Sequence, residues 1–260
     1  MSILTDLTPT ALTGAIEENL FSLFRAMGKL PGGRLEECED MIRFSTGLPS
    51  PMFNGVARTR IETVSRGLFE QPYFWWTGPQ SSPADLNDRL EAAGLQPAGR
   101  DWPGMAMALA DIDEEQASPA GVEIESASSA RELDQWGSIF CAAHDLPPWA
   151  ADAWIDAARR LEFRDLPWQH WIARLDGEPA GVGLSYTGGG VIGLYGIGTL
   201  STARRRGVGS ALTLVPMLQA RDDGFRVAIL HATPDGTRLY PHLGFRTYCR
   251  ISRFLGPAMG

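Results

Sequence analysis

Cysteine is scarce in this chain: Cys38, Cys141 and Cys249 are the three in 260 residues, odd in number and widely scattered, with no C-x-x-C pair. That excludes a disulfide framework and offers no zinc-ligand spacing. Long apolar runs are also missing. No stretch approaches the roughly 18 uninterrupted apolar residues of a membrane span, and Met1 to Leu7 has no basic stretch leading into an apolar one. The expectation is a protein of the reducing cytoplasm, neither exported nor membrane-inserted. Positive charge is the third shortage, with 23 Lys and Arg against 31 Asp and Glu, a formal net charge of −8 and a pI near 5.1. A general affinity for nucleic acid, which rests on neutralising many phosphates, is thereby excluded. Ser185 and Ser210 lack a G-x-S-x-G setting, so serine hydrolase chemistry finds no support. His170, His231 and His242 have no acidic or cysteine partners at metal-ligand spacing, and no metal is expected.

What is present is enough apolar material, 44% of residues, for one large core or two domains. The polar, turn-rich segment Asp111 to Gly121 reads as a boundary, giving blocks 1–115 and 116–260. In the second block a short strand at Val122 to Ser126 precedes a helix capped by Ser128 or Ser129, with Glu132 placed to complete a capping box. A second helix is expected over Pro148 to Glu162. Trp168 to Leu175, Ala180 to Tyr186 and Val191 to Leu200 then read as strands in two serial hairpins, turned by Asp176-Gly177 and Gly188-Gly189-Gly190. Arg226 to Ala232 reads as a buried strand, and Pro234-Asp235-Gly236 as a turn into a short helix holding Arg238-Leu239-Tyr240. The first block offers strands at Met41 to Ser45, Phe53 to Thr59 and Tyr73 to Thr77, and helices at Ile61 to Phe69 and, capped, at Ser82 to Ala93.

The chemistry concentrates at Arg204-Arg205-Arg206-Gly207-Val208-Gly209-Ser210-Ala211. Apolar residues at Val208, Ala211, Leu212, Val215 and Leu218 recur at helical spacing, so these glycines join a strand to a helix. Glycine lets a ligand approach the backbone, and the free N–H groups of a helix's first turn suit phosphate. Three arginines at that end oppose the helix dipole, a conflict that an anionic ligand removes.

Arg204-x-x-Gly207-x-Gly209 after a strand, followed by Leu239-Tyr240-x-x-Leu243-Gly244-Phe245, resembles the GNAT family of acyl-CoA-dependent N-acetyltransferases, over roughly Val122 to Leu255. The resemblance implies a mixed, mostly antiparallel twisted sheet flanked by helices. It implies acetyl-CoA as cosubstrate, its pyrophosphate held by the backbone from Arg205 through Gly207, Val208 and Gly209 to Ser210, and its pantetheine arm paired with backbone at Thr199 and Leu200. The cleft between splayed strands would be lined by Ile197 to Leu200 and Leu230 to Ala232. Tyr240 matches the family's tyrosine that protonates the departing thiolate, a role that suits a phenol of pKa about 10. Two departures stand out. Gly193-Leu194-Tyr195-Gly196-Ile197 lacks the glutamate many relatives use as base, and Thr233 stands where relatives often have an asparagine touching the cofactor. Base candidates are therefore His144, Asp145, Glu162 and Asp165, with His144 preferred for its intrinsic pKa near 6.5.

A faint internal repeat lays Asp85–Leu95 on Asp235–Phe245 without a gap, pairing Asp85 with Asp235, Gly94 with Gly244 and Leu95 with Phe245. The first block thus reads as a degenerate GNAT-like copy without the cofactor motif, with Leu90 where the second has Tyr240. Trp75, Trp76 and Trp102 are available as a wall of the acceptor pocket or as plain core, and Gly47 to Gly55 as a lid or an ordinary loop. The expected function is acetyl transfer to a primary amine of a small molecule or peptide, by a monomer or homodimer; a non-catalytic acyl-CoA sensor is the alternative.

Overall fold

A computed structural model describes residues 2–64, 68–160 and 168–256. The two expected hairpin turns close with left-handed backbone, Asp176 and Gly177 at φ 53° and 85° and Gly189 and Gly190 at 61° and 79°. Paired positive φ values give the primed turns whose twist matches that of the strands they join. The strands in chain order are β1 (Arg34–Cys38), β2 (Met41–Ser45), β3 (Asn54–Ala57), β4 (Tyr73–Thr77), β5 (Gln96–Ala108), β6 (Val122–Ser126), β7 (Trp168–Leu175), β8 (Glu178–Gly188), β9 (Val191–Thr199), β10 (Val227–His231) and β11 (Arg246–Gly256). The helices are α1 (Pro9–Gly28), α2 (Leu86–Ala92), α3 (Glu114–Ala117), α4 (Ala130–Ala143), α5 (Trp149–Arg160) and α6 (Val208–Asp222).

All eleven strands form one mixed, mostly antiparallel sheet in the order β1-β2-β3-β4-β11-β5-β10-β9-β8-β7-β6. Only β3/β4 and β9/β10 run parallel among the described residues. Each half lends its last strand to the other: β5 lies between β11 and β10, and β11 between β4 and β5. The internal repeat is written in hydrogen bonds as well as letters. Gly94 N–H donates to Glu91 O and Leu95 N–H to Leu90 O, while Gly244 N–H donates to Pro241 O and Phe245 N–H to Tyr240 O. Both glycines are left-handed, at φ 87° and 102°, a conformation that ends a helical turn cheaply only without a Cβ.

Helix α1 was not anticipated from the sequence. Thr8 caps it, its hydroxyl accepting from Ala11 N–H at 3.4 Å, and Pro9 sits at its first turn. It is buried on more than one face because it lies across strands of both halves, Phe24 stacking on Phe44 at 4.5 Å. In α4 the expected capping box is present, Ser129 Oγ accepting from Glu132 N–H and Glu132 Oε2 from Ser129 N–H. Trp136 of α4 is fully buried, stacks on Phe140 at 4.8 Å and donates to Gly183 O.

Other expectations need correction. Residues 61–64 and 68–69 are not helical; Phe69 instead packs on Tyr73 at 4.5 Å, and Leu68 O accepts from Arg43. The helix expected from Ser82 is shorter, Leu86–Ala92, without a side-chain cap, because Ser82 N–H and O are engaged by Thr59 O and Ile61 N–H. The helix around Tyr240 is two 3-10 turns, Gly236–Arg238 and Tyr240–Leu243. Strands β1, β5 and β11 were not expected. No helix among the described residues is long and apolar enough to cross a membrane, and no cluster of His, Cys, Asp or Glu among them could hold a metal ion.

Candidate active site

The parallel pairing of β9 with β10 runs from Ile192/Ala228 to Leu194/Leu230 and stops there. Beyond it β9 stays with β8 up to Thr199, with a register shift opposite Gly196 and Ile197, while Ala232 N–H turns to Pro103 O. The two strands therefore part. Leu200 N–H donates to Ala180 O and its carbonyl accepts from Ala203, so Leu200 faces β8. By the two-residue alternation of a strand, Ile197 and Thr199 turn their backbone groups the other way, toward the opening.

After a single 3-10 turn the chain reaches the arginine-glycine loop. Arg205 and Gly207 are left-handed, at φ 63° and 83°, and Gly207 caps α6 without a side chain. A Cβ on Gly207 would stand 2.6 Å from Pro119 Cβ, so both conformation and space demand glycine here. The amides of Val208, Gly209 and Ser210 form the first turn of α6, where no helical acceptor precedes them. The Val208 side chain is buried against Trp171 and Leu212, leaving its backbone to the loop. A Cβ on Gly209 would sit 3.2 Å from Leu239 Cδ2 and 3.8 Å from Thr199 Oγ1, so the arginine-glycine loop and the segment leading to Tyr240 meet there. Arg204, Arg205 and Arg206 are exposed; Arg206 lies 3.4 Å from Asp176.

On one face of the sheet lies a cavity of about 380 Å³ that both halves line. The second half brings Tyr240, His144, Thr233, Ile197, Tyr195 and His231, placing both expected catalytic residues on one space. Tyr240 packs its ring over Gly236 and edge-on to Phe245 at 5.8 Å, and burial pushes its hydroxyl up to about 12. His144 caps α4 at the solvent edge, its ring 4.7 Å from Phe140 and its Nε2 3.3 Å from Gly196 O. Desolvation of that ring lowers its pKa, the contact with Gly196 opposing, so the imidazole is neutral at pH 7. His231 also lines the cavity, but burial draws it to about 4. Leu230 and Ala232 do not line it; they pack into the cluster with Leu214 and Met217. Asp145 is exposed and does not line it, although its neighbours His144 and Leu146 do, and Glu162 and Asp165 lie outside the described residues.

The first half supplies Leu20, Phe24 and Met27 from α1, Phe74 and Trp76 from β4, and Trp102 from β5. Trp76 and Trp102 are thus wall, whereas Trp75 is core, fully buried and donating to Thr59 Oγ1 at 2.8 Å. The Gly47 to Gly55 segment is a built loop: Asn54 Nδ2 donates to the carbonyls of Leu48, Ser50 and Pro72, and only Met52 reaches the cavity. Tyr195, His231 and Arg253 line it without belonging to either sequence motif.

Residues 133–245 match the acetyltransferase (GNAT) family. A mycothiol acetyltransferase of Pseudarthrobacter chlorophenolicus is 28% identical over 222 residues, covering 76% of this chain and 64% of the relative, so the chain spans about two thirds of that protein's length. A GCN5-related N-acetyltransferase from Kribbella flavida superposes with a TM-score of 0.68 at 18% identity, covering 94% of this chain and 96% of that one. A tandem GNAT protein from the clavulanic acid biosynthesis pathway covers 100% of this chain and 98% of its own, with a TM-score of 0.57 at 12% identity. These likenesses in structure show the fold.

Proposed function

We propose that residues 133–245, which match the acetyltransferase (GNAT) family, act as an acetyltransferase domain, and that the chain moves an acetyl group from acetyl-CoA to a primary amine of a small molecule or peptide, by direct attack in a ternary complex. The observation that carries this reading is the parting of β9 from β10 beside the left-handed cap of α6, with Tyr240 facing the same cavity. The donor site fits its ligand on the chain's own geometry: amides of Val208, Gly209 and Ser210 take the pyrophosphate, and Thr199 offers backbone groups to the pantetheine arm. Arg204 and Arg205 supply positive field, and Thr233 borders the cavity. The bound thioester supplies an activated acyl carbon and a thiolate leaving group. Tyr240 Oη holds the proton that the departing sulfur takes up, and His144 takes a proton from the substrate ammonium through its unprotonated ring nitrogen, freeing the amine lone pair that attacks the acyl carbon. The first half, 1–115, has no arginine-glycine loop, and Leu90 is buried where the second half has Tyr240; we assign it the acceptor wall and no donor site.

Incubation with acetyl-CoA, a thiol-trapping dye and a panel of amines tests the proposal. Steady thiol release that requires the amine, with the N-acetyl product seen by mass spectrometry, supports it; a stoichiometric complex without turnover leaves a sensor. Two variants read the parts separately. Gly207→Ala forces a side chain into left-handed backbone, at about 1–2 kcal/mol, and is expected to weaken acetyl-CoA binding about tenfold by calorimetry. His144→Gln is expected to lower kcat/KM about 10²-fold. Since the pKa of His144 is depressed, the wild-type acid limb attributed to this base falls below pH 6.5 as the ring gains a proton, and the variant loses that limb.

A further inference from the structure

Arg253 is out of place in an apolar wall. It lies on β11 between two register shifts, at Ile251/Arg253 and Arg253/Phe254, and such bulges re-aim a side chain. Its guanidinium carbon stands 4.5 Å from the Phe74 ring centroid, 5.6 Å from Trp76 and 4.4 Å from Trp102. Gly99 makes room for this cage, since a Cβ there would meet the Trp102 ring at 2.6 Å. Arg253 Nε donates to Ala98 O at 3.2 Å, and no carboxylate among the described residues pairs with the guanidinium. All four of these side chains line the cavity, and no Asp or Glu among the described residues does.

Arg253 is half-buried, and a cation partly withdrawn from water without a counterion is costly unless its surroundings compensate it. Aromatic rings around the guanidinium do so without taking its N–H groups, and the outer N–H pairs form the fork that matches a carboxylate. Three rings already occupied by arginine cannot also cage an ammonium ligand. Burial lowers the Arg253 pKa to about 10, which keeps the charge at pH 7.

We propose that Arg253, held by Phe74, Trp76 and Trp102, binds a carboxylate on the acceptor, so that the substrate class is an amine that also carries a carboxylate. This rests on the acceptor-cavity reading above. In the sheet, β11 is separated from β9 by β5 and β10, three strand spacings or about 14 Å. The carboxylate and the reacting amine therefore belong to different ends of an elongated molecule.

The test compares ω-amino acids of increasing chain length with their amides, in wild type, Arg253→Met and Arg253→Lys. Wild type is expected to favour the acid over its amide by about 10- to 100-fold in kcat/KM, most strongly for the longer chains. The ratio falls toward one in Arg253→Met and is partly restored by lysine, which keeps the charge but not the fork. Calorimetric binding of the N-acetylated ω-amino acid, which cannot react, is expected to weaken at least tenfold in Arg253→Met. Wild type without acid-over-amide preference, or a preference that survives in a folded Arg253→Met, overturns the proposal. Carboxylate binding that depends on Arg253 while no amine is acetylated overturns the transferase reading and leaves the anion site standing.

Discussion

Tyr240→Phe is expected to lower kcat about 10²- to 10³-fold while acetyl-CoA affinity and the thermal midpoint stay close to wild type. Phenylalanine keeps the ring that packs over Gly236 and against Phe245, so the wall is intact and only the hydroxyl is lost. That hydroxyl is well suited to donate. With its pKa pushed to about 12 by burial it is protonated throughout the physiological range, and it stands in a largely apolar cavity where charge developing on a nearby sulfur is poorly solvated. The sign follows: because the native pKa is raised, activity that depends on the protonated phenol shows no alkaline limb from Tyr240 below about pH 11. Loss of donor binding in the variant would instead make Tyr240 a packing residue. A kcat unchanged in single-turnover mixing would remove it from the proton path altogether.

The proposed donor half of the site left marks in the sequence because its geometry is carried by backbone, and backbone conformation leaves local traces. Gly207 had to be glycine for its φ and for Pro119, and Gly244 for its φ, so both surfaced as motif letters. The acceptor half did not, because its parts come from distant segments and none has a spacing to betray it. Arg253 is one arginine in a strand, and what makes it unusual is Phe74, Trp76 and Trp102 arriving from two other strands. Among the described residues the wall of the cavity carries Arg253 and no acid, a feature the overall charge of −8 gives no hint of. Within the fold, hairpins with two-residue turns and the capped α4 announced themselves locally. The exchange of β5 and β11 did not, although the constant offset between Asp85–Leu95 and Asp235–Phe245 leads straight into both strands. Helix α1 escaped for the opposite reason, since a helix covered on several sides has no polar stripe to reveal its period.

That helix joins the halves through one buried amide, and Asn19→Ala is expected to be strongly destabilising. Asn19 is fully buried on α1; its Nδ2 donates to Gly188 O at 2.9 Å and, at 3.3 and 3.4 Å, to Val191 O and Tyr186 O of the β8–β9 hairpin. Its Oδ1 accepts from Tyr195 Oη at 2.6 Å. Gly193 leaves the space for this, since a Cβ there would lie 2.1 Å from Asn19 Oδ1. Tyr195, its pKa raised well above the ordinary value by burial and then by Tyr186 nearby, is a donor, and without Asn19 its half-buried hydroxyl loses the acceptor it has in the protein. Truncation is expected to cost about 2–4 kcal/mol, lowering the thermal midpoint by about 5–10 °C. The double variant Asn19→Ala with Tyr195→Phe separates the causes: it removes the stranded hydroxyl and should recover about 1 kcal/mol relative to the sum of the single changes. Strict additivity would mean that Tyr195 and Asn19 are not coupled. Because Tyr195 also lines the cavity, the same amide that secures α1 to the second half sets one wall of the proposed acceptor site, and on that reading the loss of stability should bring a higher KM for the amine with it.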